Sequence, residues 1–230
     1  MQSSDRYINQ CFKPGYTYIT AHTGCEKTPP NSIEHIHAAL LSGAEIIEVD
    51  IHKDGDLLYL SHDEDPNPGS RPTLEECFKI VSPQNGIKVN CDVKRFGLVK
   101  PVVELALKYG MTDRIHFTGQ VGPEDQQYLK DSNVLSGWWN SIFPSARDYE
   151  NIKYAMDFLN QYNRDKVICV HYKMLNDEIL ALAKDNGYLY TVWTVDEDED
   201  IVKMLKLGLV NITTNRPVRA LELRKEILGY

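Results

Sequence analysis

The chain reads as a single (β/α)8 barrel with short loops and a β-hairpin in the second βα connection. Three observations lead there. A short β-rich run, a turn and a helix-period segment recur in that order eight times. No low-complexity tract or long Pro/Gly/Ser linker divides the chain, and the only dense turn region is DEDPNPGSRP at 63–72. The 230 residues suit one large domain, since single α/β barrels run to about 250. The rival is a doubly wound open sheet, which calls for a glycine-rich GxGxxG turn after the first strand; AHTGCEKTPP at 21–30 is not one.

The eight strands are expected at Thr17–Ala21, Glu45–Asp50, Ile87–Val93, Arg114–Thr118, Val134–Gly137, Lys166–Val170, Tyr188–Thr194 and Val210–Thr213. Helices follow at Ser32–Ser42, Thr73–Val81, Val99–Tyr109, Pro123–Lys130, Ala146–Gln161, Asn176–Asn186, Asp198–Lys206 and Pro217–Leu228. Their ends carry physical signals: Ser32 as a cap, Thr73 with Glu76 as a capping box, Pro217 in a first turn, and Gly110, Gly187 and Gly208 just past helix ends. Leu57–Ser61, reached through the KDGD turn at 53–56, is a hairpin arm and not a ninth barrel strand.

Composition narrows the function. With 25 Lys+Arg against 33 Asp+Glu the net charge is −8, and no basic stripe offsets it, which argues against nucleic acid as a partner. No apolar run approaches the ~20 residues of a transmembrane segment. The amino terminus lacks a basic region followed by an apolar stretch, so the sequence carries no signal peptide and the expectation is a cytoplasmic protein, although a removed leader would leave the same chain. Cys11, Cys25, Cys77, Cys91 and Cys169 are scattered without CxxC spacing and read as buried thiols in a reducing compartment. Oligomeric state is not encoded legibly.

In such a barrel, side chains at the carboxyl ends of the strands converge on one mouth. There the first strand ends at His22, the second delivers Glu48 and Asp50 with His62 and Asp63 following on its hairpin, and the third delivers Asp92 and Lys94. Later strands bring Thr118, Trp138, His171, Trp193 and Asn215. Glu48 and Asp50, two apart on a strand, point to one face. Like charges gathered there require a cation, and with Asp92 they form an all-oxygen trio suited to Mg²⁺ or Ca²⁺ and poorly suited to zinc. A solvated surface EVD is the plainer alternative. A cation beside two imidazoles, His22 and His62, is minimal equipment for displacement at phosphorus, and Lys94 adds a fixed positive charge for a phosphoryl oxygen or simply neutralises the acids. Trp193 and Trp138 are candidates for a substrate wall, with barrel-end packing as the alternative. The run DEDED at 196–200 is a solvated helix start.

These residues fall into ordered motifs: AHTG at 21–24, NS at 31–32, IEVD at 47–50, KDG at 53–55, SHD at 61–63, PTLEE at 72–76, CDVK at 91–94, VWTVD at 192–196 and NITTNRP at 211–217. Together they resemble the glycerophosphodiester phosphodiesterase family across nearly the whole chain. The resemblance implies a (β/α)8 fold and metal-dependent hydrolysis of a glycerophosphodiester to an alcohol and glycerol 3-phosphate. It implies acid/base roles for His22 and His62, metal ligation by Glu48, Asp50 and Asp92, and substrate-phosphate contact by Lys94. Two departures stand out: Thr23 where the family usually has arginine, and Pro30 where an acid is usual. Loss of the arginine removes a forked phosphate donor, and Arg95 and Lys27 are candidates to compensate. Asp92 stands where glutamate is usual, as in the related phospholipase D toxins of spider venoms, which release a cyclic phosphate. The short segment from His62 to Thr73 implies an open mouth. Cyclisation at phosphorus and a noncatalytic phosphodiester-binding barrel are therefore the alternative readings. A metal-dependent aldolase or isomerase on the same fold rests on analogy alone.

Overall fold

The computed structural model describes residues 13, 15–131, 136, 137, 139, 140, 152–154, 156, 157, 160 and 166–230. Cys11, Trp138, Val134 and most of the helix expected over 146–161 lie outside the described residues.

In chain order the elements are β1 (Tyr18–Ala21), α1 (Ile33–Ser42), β2 (Ile46–Asp54), β3 (Leu57–Leu60), α2 (Leu74–Val81), β4 (Lys88–Val93), α3 (Val99–Lys108), β5 (Ile115–Gly119) and α4 (Gln126–Asp131). They continue with β6 (Ser136–Gly137), β7 (Trp139–Asn140), β8 (Val167–His171), α5 (Asp177–Asn186), β9 (Leu189–Trp193), α6 (Asp198–Lys206), β10 (Asn211–Thr214) and α7 (Pro217–Leu228). The strands pair in the order β6-β5-β4-β2-β1-β10-β9-β8-β7, with β3 antiparallel to β2 outside this path. β6 pairs in parallel with β5 and β7 with β8, which leaves the ring of parallel strands nearly closed. Eight strand positions thus make the (β/α)8 barrel that the alternation predicts.

Local chemistry sets the element ends. The Ser32 hydroxyl accepts from the His35 amide, and Thr73 and Glu76 form a reciprocal capping box. Asn176 caps α5, and Gly187 closes it in the left-handed conformation at φ 69°. Two segments differ from expectation. β2 runs four residues past Asp50, because pairing with β3 satisfies its backbone beyond the barrel rim. The expected helix from Pro123 begins as a 3₁₀ turn, Pro123–Asp125, in which Asp125 accepts from the Gly122 amide.

Alternation along each strand sorts the side chains. Ile47, Val49 and Ile51 of β2 and Val89, Cys91 and Val93 of β4 are fully buried in one core with Leu74 and Phe78 of α2 and Val99 and Val102 of α3. The alternate positions give the barrel a polar interior: Thr20, Glu48, Asn90, Thr118, Thr191, Asn211 and Thr213 are all buried. Cys25, Cys77, Cys91 and Cys169 are buried free thiols. Among the described residues no helix is long and apolar enough to cross a membrane.

The amino-terminal end of the barrel is stitched by Arg224 of α7. It donates to the Thr17 carbonyl at 2.8 Å and pairs with Glu45 at 2.8 Å, while Glu45 also accepts from the Ile19 amide at 2.9 Å and the Tyr16 hydroxyl at 2.6 Å. The guanidinium also lies over the Tyr16 ring, 4.8 Å from its centroid. Arg224→Leu removes the cation that faces Glu45 and the donor to the Thr17 carbonyl, and should destabilise the fold by about 3 kcal/mol in urea unfolding. A change near zero would mean the stitch contributes nothing.

Candidate active site

Strand register builds the site. Asp50 of β2 is the direct partner of Asp92 on β4, and Asp92 of Thr118 on β5, while Glu48 and Asn90 pair one layer below. Adjacent strands lie about 4.8 Å apart, so this register alone sets the three acids side by side. One ligand oxygen from each of Glu48, Asp50 and Asp92 lies within 4.8 Å of the others. All three are buried, at 8%, 1% and 7% exposure.

Each acid is held differently. Asp50 Oδ1 pairs with the Lys94 ammonium at 2.8 Å, and Asp50 Oδ2 accepts from the Asn31 amide at 2.8 Å. Asn31 Oδ1 accepts from the Asp50 backbone N–H at 2.9 Å, and the Asn31 N–H donates to the Thr23 hydroxyl at 2.7 Å. Asn31 makes these contacts from a left-handed backbone, φ 55°, which asparagine tolerates better than most residues. Thr23, at the position of the expected arginine, therefore anchors the loop that orients Asp50. Asp92 Oδ2 pairs with Lys94 at 2.7 Å, whereas Asp92 Oδ1 is buried without a hydrogen-bond partner among the described residues.

The charges follow from these partners. Burial pushes the Glu48 carboxyl up to about 7, with Asp92 and Asp50 adding to the effect and His22 and Lys94 opposing it. Burial would raise Asp50 too, but Lys94 and Asn31 outweigh it and hold this carboxyl below the usual aspartate range. Burial keeps Asp92 above that range against the pull of Lys94. Burial would lower Lys94, but Asp92 and Asp50 hold its ammonium above the ordinary lysine range.

Residues from β2, β4, β5, β8, β9 and β10 and from the loops after β1 and β3 line a cavity of about 180 Å³. Every predicted site residue borders it: His22, Glu48, Asp50, His62, Asp92, Lys94 and Trp193. Thr118 of the later strands also lines it, with Asn90, Cys169 and Thr213, to which the sequence pattern assigns no role in the site. Trp193 packs edge-on against His171 with ring centroids 5.3 Å apart. Of the two candidate substitutes for the missing arginine, Arg95 donates to the Lys53 carbonyl at 2.5 Å and Lys27 lines a separate cavity. Neither lines the acidic one.

His22 is oriented by a relay. Asp196 accepts the Asn215 side-chain amide at 2.8 Å, which turns Asn215 Oδ1 towards His22 Nδ1 at 2.9 Å. Nδ1 therefore carries the hydrogen, and Nε2 faces Glu48 Oε1 at 4.0 Å. His35, unremarked in the sequence, bridges Gly24 N–H and the Glu48 carbonyl at 3.2 and 3.0 Å. Burial lowers His35 to about 4, so it stays neutral and fixes the first loop to β2.

The donor set fits a hard divalent cation. The trio is all-oxygen, one of its buried oxygens has no hydrogen-bond partner among the described residues, and glycine at 119 leaves that oxygen its place: a Cβ there would come within 2.3 Å of Asp92 Oδ1.

Fold and site together define a class: a parallel (β/α)8 barrel with an acidic, cation-ready cavity at the carboxyl ends of its strands. The chain is similar to glycerophosphodiester phosphodiesterases, as its motifs imply. It is 24% identical over 248 residues to the glycerophosphodiester phosphodiesterase of Caldanaerobacter subterraneus subsp. tengcongensis, covering 87% of this chain and 95% of the relative. A crystal structure from Agrobacterium tumefaciens, assigned as a glycerophosphoryl diester phosphodiesterase, matches with a TM-score of 0.80 at 20% identity, over 94% of this chain and 100% of that one. A phosphodiesterase of Oleispira antarctica, solved in complex with the product sn-glycerol-3-phosphate, matches with a TM-score of 0.71 at 17% identity, over 90% and 96% of the two chains. At these identities the structural likeness establishes the fold. No family model matches the chain.

Two predictions follow from the electrostatics and the packing. Without a cation, folded Glu48 keeps a proton that the unfolded chain releases near pH 4.5, so the stability it contributes is lost as pH rises through about 7. Thermal unfolding should show the unsubstituted protein losing Tm relative to Glu48→Gln across that window, and added Ca²⁺ or Mg²⁺ should reverse the loss; parallel curves would refute the raised value. Gly119→Ala meets backbone as well, 2.3 Å from the Val93 carbonyl at φ +84°, and should weaken Mn²⁺ binding in calorimetry by about tenfold or more. Unchanged affinity would show that Asp92 does not depend on Gly119.

Proposed function

We propose that the protein is a divalent-cation-dependent phosphodiesterase that hydrolyses glycerophosphodiesters to an alcohol and glycerol 3-phosphate. The observation that carries this reading is the convergence of three carboxylates, two histidines and a lysine on one cavity. The names of the similar proteins support the choice of substrate class.

Glu48, Asp50 and Asp92 would hold the cation, Mg²⁺ or Ca²⁺ by their oxygen chemistry, and when bound it supplies neutralisation of charge on the nonbridging phosphoryl oxygens. Lys94 places a second positive charge at the same edge of the trio, 2.7 to 2.8 Å from two of its oxygens. His22 presents Nε2 to the cavity because Asn215 holds its Nδ1 hydrogen. His62 enters from the hairpin side. One histidine takes a proton from the attacking water as its oxygen bonds to phosphorus, and the other gives a proton to the departing alkoxide. Trp193 offers an apolar wall to the substrate.

Phosphorus NMR on a panel of glycerophosphodiesters and lysophospholipids tests the reading. A phosphomonoester signal that needs Mg²⁺ or Ca²⁺ and vanishes with chelator is the expected result. His22→Ala should lower the rate by about a hundredfold or more while Mn²⁺ affinity persists. A cyclic phosphate product would move the assignment to intramolecular transfer, for which Asp92 in place of glutamate is the supporting residue. No reaction with either ion, across the panel, would overturn the phosphodiesterase reading.

A further inference from the structure

His62 is the least supported group in the site. Its side chain is 70% exposed, and among the described residues its ring bonds only to the neighbouring Asp63, at 3.0 Å. Placement of the ring therefore depends on the backbone that carries it. That backbone lies just beyond β3, at the start of a segment rich in turns.

Two buried rings grip this segment. His52, directly opposite Tyr59 in the β2–β3 pairing, stacks on it with centroids 5.7 Å apart and planes 21° from parallel. His52 Nε2 lies 3.1 Å from the His62 carbonyl, and since a carbonyl only accepts, Nε2 carries the hydrogen. The Tyr59 hydroxyl accepts from the Asp65 N–H at 3.3 Å. The Ser61 N–H adds a bond to the Asp50 carbonyl at 3.1 Å, which ties the same segment to a carboxylate-bearing residue.

His52 is an unfavourable choice for packing alone. It is 5% exposed, and its Nδ1 is buried without a hydrogen-bond partner among the described residues. An orphaned buried polar atom opposes folding, and an apolar side chain of similar volume would fill the place without that penalty. The residue's return lies in the bond it makes to the His62 carbonyl.

We propose that the stacked pair His52–Tyr59 is a positioning device that holds His62 over the carboxylate trio. His52 sets the His62 backbone and Tyr59 sets the segment three residues on. Neither residue lines the cavity, so neither touches substrate. The proposal rests on the phosphodiesterase reading only for its effect on rate.

The test uses His52→Leu, which removes the donor but keeps an apolar filler, His52→Gln, whose amide nitrogen can replace Nε2–H, and Tyr59→Phe. The first readout needs no turnover: Mn²⁺ bound at the trio relaxes the His62 ring protons in NMR according to distance. His52→Leu should keep its Mn²⁺ affinity and its Tm, show weaker relaxation at His62, and lose about tenfold to a hundredfold in kcat with little change in KM. His52→Gln should restore both readouts, and Tyr59→Phe should show a smaller loss of the same kind. Retained relaxation and rate in His52→Leu would overturn the proposal. So would an equal loss in folded His52→Gln, which would assign the effect to the ring and not to the bond. If no diester is turned over by the unsubstituted protein, the phosphodiesterase reading fails while the relaxation series still decides the positioning role.

Discussion

The barrel mouth is organised around electrostatic repulsion. Glu48, Asp50 and Asp92 are brought together by strand register, and parallel pairing leaves them no freedom to separate. The fold meets this constraint by treating each acid differently. Asp50 is neutralised by Lys94 and Asn31, Asp92 shares Lys94 through one oxygen, and Glu48 retains a proton towards neutral pH. The arrangement is thus tolerable without a divalent ion and leaves a buried carboxylate oxygen ready for one. Lys94 serves both conditions, as a counterion within the protein and as a positive charge facing the cavity.

The histidines divide along similar lines. His22 belongs to the rigid ring: its backbone bonds to β10, and its side chain is fixed through Asn215 and Asp196. His62 follows the hairpin that rises from the rim, outside the path of barrel strands. Proton transfer on the two sides of a reacting phosphorus would accordingly draw on one group set by the barrel and another set by an appendage.

Much of this was legible in the sequence because it depends on periodicity. Alternation placed Glu48, Asp50, Asp92 and Lys94 on one face, and the signals at Ser32, Thr73 and Pro217 marked helix starts close to where they occur. The supporting residues were not legible, for they act across the fold. Asn31 reaches Asp50 only because its backbone turns left-handed, and Asp196 meets Asn215 through the side-by-side placement of β9 and β10. Thr23 reads in the sequence as a lost arginine. In the fold it is a hydroxyl acceptor that fastens Asn31, a role that residue type alone does not disclose. The length of β2 was underestimated for a related reason, since pairing with β3 carries it beyond the ring.

The circular sheet also imposes an order in time on a chain made from one end. His22 depends on Asn215, 193 positions later, and the Thr17 carbonyl on Arg224, 207 positions later. Contacts of such separation form slowly, because the intervening chain must be gathered before they return any stabilisation. During synthesis the acidic trio, confined to the first half of the chain, is made long before the partner that orients His22. A nascent chain therefore holds the carboxylates of the site well before the complete set of groups that the proposed chemistry requires.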